Sequence, residues 1–208
     1  ETLFDASLTR AKARGNTDLE IGYGSGAGVL CRMSAFDHAG LFDEKFFMYH
    51  EDTDASLRAR MRGLKTVVEP TSILWHYYEF AKSKINYYWM ERNRYVLMFS
   101  YYRIWTLIVL FPMIVVMDLG ILAFSIKGGW FDMKKKMYKE LFTADFWKWV
   151  RTRRKDIQSI RKISDREFLK QSVTAIGFQE ETVKNSVLDY IGNPLLTAYW
   201  WVAKWFIV

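Results

Sequence analysis

The residues best suited to chemistry stand together at His50-Glu51-Asp52-Thr53-Asp54. A carboxylate works as a general base when an ionised oxygen lies within hydrogen-bond reach of the hydroxyl it deprotonates, where a substrate can arrive. Two aspartates two residues apart, behind a glutamate and a histidine, offer one such base and a shell to position it. The plainer alternative is helix capping, since carboxylates at a helix N-terminus are stabilising by roughly 0.3–1 kcal/mol. A calcium loop is excluded: counted from either Asp52 or Asp54, the sixth residue is not Gly and the twelfth is not Glu.

The elements around the acids read as alternating strands and helices. Gly22 to Gly28 is a flexible stretch running into Val29-Leu-Cys-Arg32, read as a strand. Ser34 is placed to cap a short helix that ends at Gly40. Leu41 to Tyr49 is an aromatic-rich loop leading to the acids. A helix over Thr53–Arg62 then follows, with Gly63 as its stop; acids in its first turn and Arg58, Arg60 and Arg62 toward its end complement the helix dipole. Lys65–Glu69, stopped by Pro70, and Ser72–His76 read as two further strands. Strand, loop, helix, strand, strand predicts an α/β fold.

The linked pattern is more specific than any of its parts. Gly26-Ala-Gly-Val-Leu-Cys-Arg32 is followed by Gly40-Leu-Phe-Asp-Glu-Lys-Phe-Phe-Met-Tyr-His-Glu-Asp-Thr-Asp54, then Arg58, Gly63, Pro70 and His76. Over Ile21 to Asn93 this resembles the second half of family 2 glycosyltransferases, above all their rhamnosyltransferase-like members. Ala55 departs from the pattern, which has a larger apolar residue there. The resemblance implies a partial GT-A domain over residues 1–83, the acceptor and base half, and an inverting transfer of a sugar from a nucleotide-sugar donor. It makes Asp52 the catalytic base and Glu51, Asp54 and Arg58 its supporting residues, Arg58 being spaced at i+4 to pair with Asp54. Gly26, Gly28, Arg32, Trp75 and His76 become the candidates for substrate contact. A divalent metal, Mg or Mn, is implied on the donor diphosphate. Its Asp-x-Asp ligands are expected before Glu1, which leaves His76 as the one metal candidate here.

Several of these residues have plainer roles. A lone His between Trp75 and Tyr77 is commonly a hydrogen-bonded rim residue. Cys31 reads as a small buried apolar residue and His38 as a surface one. The glycines at 22–28 do not make a dinucleotide fingerprint and instead predict backbone passing close to a ligand or another strand.

From about residue 84 the composition changes. Lys84–Arg103 reads as an aromatic helix containing Arg92-Asn93, a pair also found in the family. Trp105–Ile126 is apolar apart from Asp118, and 22 residues at 1.5 Å each extend about 33 Å, enough to cross a bilayer core. Basic residues flank the run on both sides, and 127–193 holds 15 Lys and Arg against 9 Asp and Glu. The positive-inside rule then favours a hairpin broken near Pro112 or Asp118–Gly120, or interfacial helices, over one crossing. Segments 142–150 and 194–208 mix Trp with Lys as interfacial anchors do.

Composition narrows the field further. A net charge of +7 with one cysteine excludes a disulfide framework or a Cys-based metal site and points to a reducing compartment. The charge fits anionic lipid at the cytoplasmic face of a membrane. Nucleic acid is disfavoured because the aromatics accompany an apolar run too long for a nucleic-acid surface. The expected function is therefore sugar transfer from a nucleotide sugar to a lipid-linked or glycan acceptor at the membrane. The rival is a non-catalytic membrane-binding module that keeps only the acidic helix cap.

Overall fold

The computed structural model describes residues 19–36, 42–75, 83–172, 174, 176 and 188–208. Strand β1 (Leu19–Ile21) pairs antiparallel with β2 (Thr66–Val68), Leu19 opposite Val68 and Ile21 opposite Thr66. Between them lie 3₁₀ turns at Met33–Phe36 and Glu44–Phe46 and the helix α1 (Glu51–Met61). Helices α2 (Ile85–Tyr101), α3 (Ile104–Lys127), α4 (Phe131–Leu141), α5 (Ala144–Ser159), α6 (Asp165–Phe168) and α7 (Asn193–Ala203) follow.

Local sequence accounts for most of these boundaries. Acids fill the first turn of α1 and Arg58 and Arg60 its last, and Gly63 ends it at φ +79°, a conformation that costs glycine nothing. Thr143 caps α5 by accepting from the Phe146 N–H. Ser164 caps α6 by accepting from the Glu167 N–H, with Glu at the position of a capping box. Pro194 stands in the first turn of α7, where a missing N–H costs no helical bond.

Helix α2 is the centre of the molecule, packed against α4 and α5. Tyr95, Val96, Leu97 and Tyr101 share one core with Phe46 and Met61 from the first part of the chain and with Met137, Phe146, Trp149 and Val150 from the last. Each large apolar side chain buried this way contributes about 1.5–3 kcal/mol. A smaller cluster joins Phe36 to Ala55 and Ala59, with Cys31 and Ala35 packed against it.

This architecture corrects the α/β expectation. Helices dominate, and the only sheet among the described residues has two strands of three residues each, which is not a GT-A fold. The reason lies in pairing. Val29–Arg32, read as a strand, is irregular, and Leu30 is 100% exposed with no strand against it among the described residues. Ser72–Trp75 likewise carries no ladder bonds. A strand needs a partner on at least one edge, and an isolated two-stranded unit is only marginally stable. The apolar run also differs from the broken hairpin: α3 continues unbroken through Pro112, Asp118 and Gly120.

Candidate functional site

Asp52 lies in the first turn of α1, half-buried. Its Oδ2 accepts from the Gly26 N–H at 2.8 Å, and its Oδ1 accepts from the Thr53 N–H at 2.6 Å. The Thr53 hydroxyl lies 3.3 Å from the same Oδ1. A Cβ on Gly26 would sit 3.4 Å from the Asp52 Cβ, an ordinary van der Waals contact. Two residues earlier, the Gly24 N–H donates to Ser56 Oγ. The glycine stretch therefore closes on α1 through its backbone N–H groups. Tyr23 borders the group: burial, helped by the negative charge of Asp52, raises its phenol above the ordinary value.

The loop ahead of Asp52 is held in a costly shape. Phe47, Tyr49 and His50 have φ of 60°, 64° and 68°, a region that non-glycine residues rarely occupy. The α2 helix supports it. Asn93, wholly buried, donates its amide to the carbonyls of Phe46, Met48 and Tyr49 at 3.0, 2.9 and 2.7 Å. Arg92 donates to the carbonyls of Lys45 and Phe46 and lies over the rings of Trp89 and Trp149. His50 then stands among Asp52, Arg94 and Glu91. Burial lowers its pKa first; the Arg94 charge adds to this, while Asp52, Glu91 and the Met90 backbone oppose it.

The supporting acids divide by environment. Asp54 is fully buried and bound by Arg58 Nε at 2.9 Å, by Arg153 from α5 and by the Tyr101 hydroxyl at 2.7 Å. Such a carboxylate is a structural anchor. Asp43 accepts from the Lys45 N–H and the Trp149 indole, and pairs with Arg153. Burial alone would raise its carboxyl, but the Lys45 N–H, the Arg153 charge and the Trp149 bond outweigh that and hold it below the ordinary value. Glu51 moves the other way, raised chiefly by burial, and its Oε2 is enclosed without a hydrogen-bond partner.

Of the residues assigned to substrate, Gly26 meets Asp52. Gly28 packs against Leu74, where a Cβ would fall 2.7 Å from the Leu74 Cδ2. Arg32 is exposed and Trp75 is 82% exposed. His76 and His38 lie outside the described residues. A metal does not fit the acids present: no three His, Cys, Asp or Glu among the described residues come together as ligands, and Asp54 is already surrounded by two guanidinium groups. The better-formed hollows run along α3 and do not include Asp52.

Sequence reasoning passed over four contributors. His50 enters the sequence reading only as a neighbour of the acids, and Asp43 only as part of the linked pattern. Asn93 carried a signal, because Arg92-Asn93 stands at a recognisable place after the acids. Arg153 carried none, since its partners lie 99 and 110 residues away.

No family model matches the chain, and no solved structure matches it. Over 57 residues, 27% of the chain, it is 40% identical to the N-acetylglucosaminyl-diphospho-decaprenol L-rhamnosyltransferase of Mycobacterium tuberculosis, in strains CDC 1551 and H37Rv. The matched stretch covers 19% of that enzyme, so the chain is compared with about a fifth of its relative's length. The match supports a glycosyltransferase-like relationship for this chain.

Proposed function

We propose that the chain belongs to an inverting glycosyltransferase and supplies its base and acceptor side, with a nucleotide sugar as donor and a lipid-linked or polysaccharide acceptor at the membrane surface. The observation that carries this reading is Asp52. It is half-buried at the head of α1, between the glycine stretch and a loop held in left-handed conformations, within a chain related to a rhamnosyltransferase over part of its length. Strained backbone held in place by its surroundings is concentrated at functional sites.

In this reading Asp52 takes the proton of the acceptor hydroxyl. That oxygen bonds to the anomeric carbon from the face opposite the nucleotide, and the carbon–oxygen bond to the diphosphate breaks, releasing a nucleoside diphosphate. Positioned proton transfer of this kind is worth about 10²–10⁴-fold in rate. The Gly26 and Thr53 N–H groups hold the carboxylate and leave lone pairs on both oxygens for the incoming alcohol. No step is derived through a metal.

The test is Asp52→Asn in the full-length protein, assayed for transfer from a panel of nucleotide sugars. A fall of at least about a hundredfold is expected; near-normal turnover would overturn the assignment. A second reading, a non-catalytic membrane-binding module, draws on the engagement of both Asp52 oxygens by the backbone N–H groups of Gly26 and Thr53. Under that reading Asp52→Asn changes stability and leaves the membrane-bound fraction as it was, with no transfer detectable for either form.

A further inference from the structure

We propose that α3 and α7 form a monotopic membrane face: α3 lies lengthwise in one leaflet and does not cross the bilayer. This rests on packing and charge and is independent of the transferase reading.

Helix α3 has 24 residues, long and apolar enough to span a membrane. Its two sides differ sharply. Ile104, Ile108, Phe111, Val115, Leu119 and Ile126 follow one another at helical spacing on the exposed side. From Ile104 to Ile126 no exposed position bears a charge, and the one polar group there, the Trp105 indole, donates to the Phe206 carbonyl. The polar residues of the helix are withdrawn from solvent, Thr106 and Ser125 buried and Asp118 half-buried. An exposed apolar strip this long on an otherwise charged chain marks a partner or a membrane.

The inner side decides how the helix sits. Helix α3 is tied to α2 at both ends and near its middle. The two are joined through Tyr102 and Arg103 at one end, and at the other the Lys84 ammonium bonds the Gly129 carbonyl at 2.7 Å. Midway, Asp118 accepts from Lys134 at 2.7 Å, from the Tyr95 and Tyr138 hydroxyls and from Arg94. Lys134, fully buried, also holds Glu91, which pairs with Arg94. These bonds fix α3 to α2 and α4. If α3 crossed a bilayer, α2 and the helices on it would stand at the same depth, with exposed Lys135, Lys136 and Lys139 of α4 and Lys148 of α5 in hydrocarbon. Charges at the bilayer centre are strongly disfavoured. Lying flat removes the conflict, because only the apolar strip enters lipid.

Continuity and charge identify the occupant as lipid. Helix α7 packs on the first turns of α3, with the Tyr199 hydroxyl bonding the Val109 carbonyl. It extends the strip with exposed Trp201 and Val202, and the turn after it adds exposed Trp205. Tryptophans favour the headgroup boundary, and the lysines of α4 and α5 suit anionic headgroups at its margin.

The experiment places single cysteines at the two ends of α3, Arg103→Cys and Lys127→Cys, in a Cys31→Ser background of the full-length protein in sealed membrane vesicles. A membrane-impermeant maleimide is expected to label both from the same side. Labelling from opposite sides overturns the proposal. A second measurement guards against a protein partner covering the strip. Phe111→Glu with Leu119→Glu, both at exposed positions, is expected to lower partition onto phosphatidylcholine–phosphatidylglycerol vesicles by about tenfold or more with helicity unchanged. Unchanged partition, or a stable dimer that does not bind vesicles, overturns it too.

Discussion

The Asp54 carboxylate and the Arg153 guanidinium, 99 residues apart in the chain, meet in a buried ion pair that fastens α1 to α5. Arg153 also pairs with Asp43, and Tyr101 of α2 donates to Asp54. The acids ahead of and within α1 are thus fixed by the helices that follow. Two consequences are that Asp52 gains a rigid base, and that its neighbour Asp54 is unavailable for chemistry.

Removing one member of a buried pair leaves the other charge uncompensated, at a cost of about 3–5 kcal/mol. Asp54→Ala is therefore expected to lower the denaturant midpoint by far more than Asp52→Ala, whose carboxylate is only half-buried. Equal shifts of the two variants in chemical unfolding would contradict the anchor role of Asp54.

Asn93 supports three carbonyls of a loop that would not hold its shape unaided. Its replacement by Ala strands those carbonyls and is expected to cost about 1–3 kcal/mol. Amide exchange should accelerate across residues 46–50 more than in α5. Exchange that is uniform over the molecule would show that the loop keeps its conformation without Asn93.

His50 gives the protein a pH signature. Its folded-state pKa lies below the ordinary 6.5 because burial disfavours the imidazolium. The unfolded chain therefore binds the proton first on acidification, so stability is full above pH 6.5 and declines as pH falls from 6.5 toward the depressed value. His50→Asn keeps a side chain tolerant of positive φ and removes the titration. Thermal melts of this variant between pH 7 and 5 should show a flatter decline than the parent; parallel curves would remove His50 from the account.

Much of the helical part was legible because its signals are local. The acids before Leu57 and the glycine at 63 bracket α1, and the aromatic-rich stretch and the long apolar run mark α2 and α3 within a few residues of their observed ends. Val29–Arg32 was misread because a short apolar run says nothing about whether a second strand is there to pair with it. Three positive-φ residues within four positions, Phe47, Tyr49 and His50, were also invisible, since none of the three is a glycine and their support comes from Asn93 more than forty residues on. In the site, the spacing of Asp54 and Arg58 announced their pair. The division of labour between Asp52 and Asp54 was not announced, because it depends on which of them a distant arginine reaches.

That distant arginine has a genetic corollary. A nonsense or frameshift lesion anywhere between α2 and Arg153 strips the clamp from Asp43 and Asp54 together. Such alleles should behave like lesions in the acidic motif itself, although every codon of that motif is intact. A screen that sorted the tail as mere membrane anchor would misplace them.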